Sequence, residues 1–392
     1  MKKLLLAAII SLSTISTAAL AEIKVGIILG FTGPIETLTP AMRDSAKLAF
    51  AEVSSSGKLL GGETITPMIA DSTCVDSDAA VAAAEMLVSD GVVAIMGADC
   101  SGVTGAIATN VAVPNGVTMV SPSATSPGLT SLADNGLFFR TAPSDAKGGQ
   151  VLAQVALDRG LTSVAVTYTN NDYGKGLADV FEASFTSGGG TVTAVASHED
   201  GKADYSSEVG VLGSAGGDAL VVIGYLDQGG KGMIQASLDS GSFDLFVLSD
   251  GMIGQSIADA IGADLNGSFG TLPGTVSEGA AKFAEISGDI DPTAPYAGES
   301  YDAAALIALA MQRAGSADRQ AILSNISRVA NAPGIKIQPG QLSYGLQMLA
   351  EGKEINYQGA TDVEFNAFGD AAGSFKEVEV QSGKFEMIQI RN

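Results

Sequence analysis

At 392 residues, with 46% hydrophobic and 6% aromatic content, the chain is longer than one core usually holds, so two domains are expected. A formal net charge of −22 argues against nucleic acid and anionic membranes as partners, since both attract basic patches. With 49 Gly, no Trp and two Cys, the composition suits closely packed α/β layers better than a disulfide scaffold.

The chain begins Met1-Lys2-Lys3, runs through an apolar stretch from Leu4 to Leu12 and reaches Ala19-Leu20-Ala21. A basic start, a short apolar middle and an A-x-A end predict a secretory leader over 1–21, cleaved before Glu22. The apolar stretch is too short for a bilayer, which needs about 20 residues. No Cys follows the cleavage point to carry a lipid, and no later segment reads as membrane-spanning. A soluble exported protein is expected.

Strand and helix patterns then alternate. Ile23–Leu29 reads as a buried strand, and Met42, Ala46, Ala49, Phe50 and Val53 recur at helical spacing. Thr64–Ala70 is strand-like, Ala79–Val88 helical, Val92–Met96 a strand, Val103–Val111 helical and Val117–Val120 a strand. After Pro143 the pattern restarts with a helix near Lys147–Asp158, strand Val164–Tyr168, helix Lys175–Ser187 and strand Val192–Ala196. A helix before Gly213, strand Ala219–Ile223, helix Gly230–Leu238 and strand Leu245–Leu248 follow. Long helices return at Tyr301–Arg313 and near Arg319–Ala330, and the tail reads antiparallel: Val363–Phe365, Phe375–Val380, Phe385–Ile390. Such alternation predicts parallel sheets covered by helices, with right-handed crossovers.

Cys74 and Cys100, in an exported chain, are expected to pair; two unrelated buried thiols are the alternative. The only His is His198, in the polar stretch Ser197-His198-Glu199-Asp200-Gly201, and is expected to face solvent. No Cys lies at ligand spacing, so neither metal nor cofactor is expected. No G-x-S-x-G, G-x-x-x-x-G-K-[ST] or G-x-G-x-x-G occurs, which argues against the common hydrolase, P-loop and dinucleotide sites. An exported hydrolase using a carboxylate pair stays open.

Ligands of open parallel sheets bind beyond the carboxyl ends of strands. In the first half those places hold Gly30-Phe31-Thr32-Gly33-Pro34, then Gly97-Ala98-Asp99-Cys100-Ser101-Gly102, then Ser121-Pro122-Ser123-Ala124-Thr125. In the second half they hold Asn170-Asn171-Asp172-Tyr173-Gly174, Gly224-Tyr225-Leu226-Asp227 and Ser249-Asp250-Gly251. The first half supplies hydroxyls and free amides near helix starts, where Ser101 and Thr125 could hold a carboxylate. The second supplies an anion, Asp250, and two aromatic walls, Tyr173 and Tyr225. An α-amino acid needs all three. Each residue alone has a plainer reading: Ser101 as a helix cap, Asp250-Gly251 as a turn, the tyrosines as packing.

In their order, Phe31-Thr32-Gly33-Pro34, the two cysteines, Cys100-Ser101, Ser121-Pro122-Ser123-Ala124-Thr125, Asp172-Tyr173-Gly174, Gly224-Tyr225 and the tail Gly359-Ala360-Thr361 with Val363-Glu364-Phe365 resemble the leucine/isoleucine/valine-binding family. These are type I periplasmic receptors for amino acids and amides that serve ABC transporters, and the resemblance covers the mature chain. It implies two α/β lobes joined by three hinge crossovers: 22–143 with 272–350, and 144–271 with 351–392. It implies that Ser101, Ser123 and Thr125, with Cys100 and Ala124 beside them, hold the ligand's carboxylate and ammonium. Tyr173 and Tyr225 would cover its side chain, and Asp250 would balance the ammonium, where relatives often carry Glu. Asp99 stands where leucine binders are apolar, and Leu38 near a usual aromatic. Glu36, Asp227 and Glu299 are further acids placed near the cleft, which keeps a polar, basic or amide-bearing solute in view beside an aliphatic one. The resemblance implies a periplasmic monomer that binds a small solute without chemistry and delivers it to a membrane permease. A sensor that signals to a membrane receptor is the alternative.

Overall fold

The structure, a computed structural model, describes residues 22–392, so the expected leader lies outside the described residues. Five strands come first: β1 (Glu22–Leu29), β2 (Thr64–Asp71), β3 (Ala94–Gly97), β4 (Thr118–Ser121) and β5 (Phe138–Pro143). Five more follow: β6 (Ser163–Thr169), β7 (Thr191–His198), β8 (Ala219–Ile223), β9 (Phe246–Leu248) and β10 (Phe269–Pro273). The last are β11 (Ile335–Ile337), β12 (Ile355–Tyr357), β13 (Asp370–Ala371), β14 (Phe375–Gln381) and β15 (Lys384–Arg391). One sheet runs β13-β5-β4-β3-β1-β2, a second β15-β14-β10-β9-β8-β6-β7, and β11 pairs with β12 apart from both. The first is parallel throughout; the second turns antiparallel only at β14 and β15. This is the two-lobed α/β architecture that the resemblance implies.

Every residue of β3, β4, β8 and β9 is buried, as continuous apolar runs covered on both faces should be. The helix Thr39–Ser55 buries Met42, Ala46, Ala49, Phe50 and Val53, the face its spacing predicts. That face packs on the helix Ala297–Ala314, whose residues from Ser300 to Gln312 are all buried. Alanines at 303, 304, 305, 308 and 310 keep the second helix slim enough to be enclosed. Burial of Phe50 alone contributes roughly 1.5–3 kcal/mol.

The chain passes between the sheets three times: after β5, after β10 and after β13. The third passage lies past Ala371, not at 350 as the sequence suggests. Arg140, with no exposed surface, donates to Asp370 at 2.7 Å and to the carbonyls of Ala124 and Ser126, which holds β13 beside β5. Val363–Phe365, expected as a strand, makes one bridge from Phe365 to Ala371. The Asn331 side chain takes both backbone groups of Phe365 instead. His198 does not face solvent: β7 extends to it, its ring is 1% exposed, and Nδ1 sits 2.8 Å from the Thr167 hydroxyl. Burial lowers its pKa to about 4.

Candidate functional site

On the first lobe the strand ends are bound together by Asp99. Its carboxylate accepts from the Gly30 amide at 2.6 Å, the Ser72 hydroxyl at 3.0 Å and the Cys100 amide at 2.9 Å. Burial pushes this carboxyl up, and those hydrogen bonds pull against the shift. Asp99 therefore acts as a brace, with its charge spent inside the lobe. The disulfide Cys74–Cys100, with 5.1 Å between Cα atoms, fastens the same corner. Together they fix the start of the helix Ser101–Ile107, whose first-turn amides have no intrahelical partner.

The Ser101 hydroxyl accepts from the Ser126 amide at 3.1 Å, which leaves its proton to donate elsewhere. Ser123 is less free, since its hydroxyl donates to the Asp99 carbonyl at 3.1 Å. The Ala124 amide donates to Ser121 Oγ at 2.9 Å and its carbonyl accepts from Arg140, so its backbone is occupied. Thr125 Oγ1 is buried and makes no hydrogen bond of normal geometry among the described residues, though it stands close enough to the Asp145 carboxyl to pull it down.

On the second lobe Asn171 caps the helix Asp172–Ser187 by accepting from the Gly174 amide at 3.0 Å, which aims Tyr173 at the cleft. Its phenol donates to Asp250 Oδ1 at 2.6 Å, and its ring stacks on Tyr225 with centroids 5.2 Å apart and planes at 17°. From the first lobe, across the cleft, the phenol of Tyr296 donates to Asp250 Oδ2. Tyr296 has φ 61°, a left-handed residue just ahead of the helix Ala297–Ala314. Gly251 is required by crowding: a Cβ there would lie 2.5 Å from the Gly224 carbonyl and 3.0 Å from the Tyr173 phenol. Burial pushes the Asp250 carboxyl up while the two tyrosines pull it down. Burial and then the Asp250 charge drive both phenols well above their ordinary value, so they stay donors.

A second acid stands nearby that the sequence does not single out. Asp145 opens the helix Asp145–Asp158, is 3% exposed, and leaves Oδ2 without a hydrogen bond. Its amide donates to the Thr125 carbonyl at 2.8 Å. Burial, and then negative charge on Asp250, push its carboxyl well above the carboxylate range. The site thus holds a clamped carboxylate, Asp250, with a second buried acid, Asp145, close enough to feel its charge.

Cys100, Ser101, Ser123, Tyr173, Tyr225 and Asp250 all line one interlobe cavity, together with Asp99 and Tyr296. Its remaining wall is apolar: Ile35, Leu38 and Met42. The cavity is ≈ 20 Å³, about room for a water molecule, so a solute enters only when the lobes part. Glu36 does not join it; its side chain is exposed. Asp227 stands at the rim, and Glu299 lines a separate cavity behind Tyr296, where burial raises its carboxyl to about 7. A more capacious groove, ≈ 850 Å³, runs past Lys202, Tyr205, Lys231 and Gln235, but it lies on the second lobe alone and lacks this convergence of opposed groups.

A family model for periplasmic binding proteins matches residues 22–341. The chain is 29% identical over 314 residues to Leu/Ile/Val-binding protein homolog 3 of Brucella melitensis, covering 79% of this chain and 84% of that relative. It is similar to the crystal structure of a leucine binding protein from Thermotoga maritima, with TM-score 0.79, 24% identity, and coverage of 94% of this chain and 99% of that one. It is also similar to a branched-chain amino acid transporter substrate binding protein of Streptococcus pneumoniae in complex with isoleucine. There the TM-score is 0.76 and the identity 23%, with 95% of this chain and 99% of that one covered.

Proposed function

Because the chain belongs to the periplasmic binding protein family, we propose that it captures an α-amino acid with an apolar side chain for a membrane ABC permease. One observation carries the choice of solute. The Tyr173–Asp250–Tyr296 clamp faces the free hydroxyl proton of Ser101 across a wall of Ile35, Leu38 and Met42. The clamp and Asp145 suit an ammonium, while Ser101 and the helix start suit a carboxylate. The apolar wall suits an aliphatic side chain, beside which an unpaired charge or amide would be costly. The acids that kept a basic solute in view are engaged or placed elsewhere: Asp99 lines the cavity but its carboxylate is taken by Gly30, Ser72 and Cys100, Glu36 is exposed, Asp227 stands at the rim and Glu299 lines a separate cavity.

The lobes that close on it are 22–143 with 274–371, and 144–273 with 372–392. The solute docks on one lobe, the other swings over, and water is excluded. The closed form is what the permease receives, and no bond is made or broken. A thermal-shift panel of the twenty amino acids tests this. Leucine, isoleucine or valine should give the largest rise in Tm, and lysine, arginine, glutamate and glutamine little. The largest shift from a charged side chain would overturn the choice of solute.

A further inference from the structure

Beyond the residues that face the solute, the rim of the cleft carries a set of hydrogen bonds joining the lobes directly. Thr37 lies in the loop between β1 and the helix Thr39–Ser55, on the first lobe. Asp227 follows β8 and Ser256 lies in the helix Gln255–Ile261, both on the second. The Asp227 carboxylate accepts from the Thr37 amide at 3.0 Å, the Thr37 hydroxyl at 2.8 Å and the Ser256 hydroxyl at 3.0 Å. In return the Asp227 amide donates to the Pro34 carbonyl at 3.0 Å. None of these side chains lines the interlobe cavity. Beneath them Leu38, which does, packs toward Gly254, where an added Cβ would meet it at 3.1 Å.

We propose that Thr37, Asp227 and Ser256 form a latch that sets how long the closed lobes hold their solute, without touching the solute. Two bonds from Thr37 to the Asp227 carboxylate and one from the Asp227 amide to Pro34 tie the two bodies at the rim, with Ser256 steadying the carboxylate from its own lobe, and all three must break when the lobes part. The contribution is therefore made only in the closed state, so it slows release and leaves capture nearly untouched. Since each charge-assisted bond is partly exposed to competing water, losing the set should speed release about ten- to a hundred-fold. Solute specificity, set in the cavity, should not change.

This rests on the amino-acid reading, and the test has an arm that does not. Stopped-flow tyrosine fluorescence with L-leucine is run on the mature chain and on Asp227→Ala and Thr37→Val. The dissociation rate should rise at least ten-fold in Asp227→Ala and less in Thr37→Val. The association rate should stay within two-fold, and the leucine-to-valine affinity ratio should not move. In parallel, hydrogen exchange without solute follows the amides of residues 35–38, which should exchange faster in Asp227→Ala. Unchanged dissociation with wild-type leucine binding intact overturns the latch. If the wild type ignores every amino acid, the solute reading fails, and faster or unchanged exchange then upholds or overturns the latch alone.

Discussion

On the proposed reading, recognition turns on Asp250 and the neighbouring Asp145, both buried acids whose carboxyls burial pushes up, Asp145 against the opposing pull of the Arg140 charge. An ammonium arriving between them would stabilise their ionised forms and lower the pKa values that burial has raised. Binding should therefore release protons, and affinity should weaken as pH falls through the raised range. Calorimetry in phosphate and Tris checks this: the enthalpies should differ by the buffers' ionisation heats in the sense of release, and Asp250→Asn should lose about 100-fold in affinity. Proton uptake, or an Asp250→Asn variant of unchanged affinity, would contradict the assignment. Ser101, Tyr173, Tyr225 and Asp250 were legible in the sequence because each follows a recognisable strand. Tyr296 was not, since it precedes a helix on a crossover and reaches the cleft through a left-handed backbone that no local pattern announces. Asp145 reads as an ordinary acid in a first helical turn after Ser144. His198 misled in the other direction: its neighbours are polar, but its ring packs at Gly224 and Gly229 and edge-on to Tyr205.

Among elements, the corner formed by β3, the Cys74–Cys100 bridge and the helix Ser101–Ile107 does most to position the site. Spanning 26 residues of sequence, the bridge should contribute about 3–4 kcal/mol in the chain-entropy model. Reduction, or Cys74→Ala with Cys100→Ala, should lower Tm by several degrees and weaken solute binding, measured by calorimetric scanning and titration of the same samples. Unaltered Tm on verified reduction would remove the bridge from the account. Most strands were legible because buried parallel strands are continuous apolar runs. Those that were not carry residues that break the pattern. β5 contains Arg140, which only a distant partner, Asp370, makes tolerable in the interior. β10 contains Gly270, where a Cβ would lie 2.1 Å from the Leu248 carbonyl, and ends in Pro273. The expected strand at Val363–Phe365 was lost to the side chain of Asn331, a contact across 34 residues of sequence.

At the scale of the molecule, a parallel sheet and a sheet antiparallel only at β14 and β15 meet across the cleft, joined by three passages of the chain. Two domains were legible from length and parallel sheets from β-α alternation, while the two-lobed plan with its three crossovers was implied by the family resemblance. The third passage was displaced because a single buried ion pair, Arg140 with Asp370, outweighs the local sequence in deciding to which sheet the tail belongs. The cavity between the lobes is almost filled, and on the proposed reading a solute is held there by enclosure, its two charges met by groups from either side. The most direct measurement compares titrations of L-leucine, leucinamide and 4-methylpentanoate, which carry both charges, the ammonium alone and the carboxylate alone. The account predicts that each single-charge analogue binds at least 100-fold more weakly than leucine. An analogue binding as tightly as leucine would contradict it.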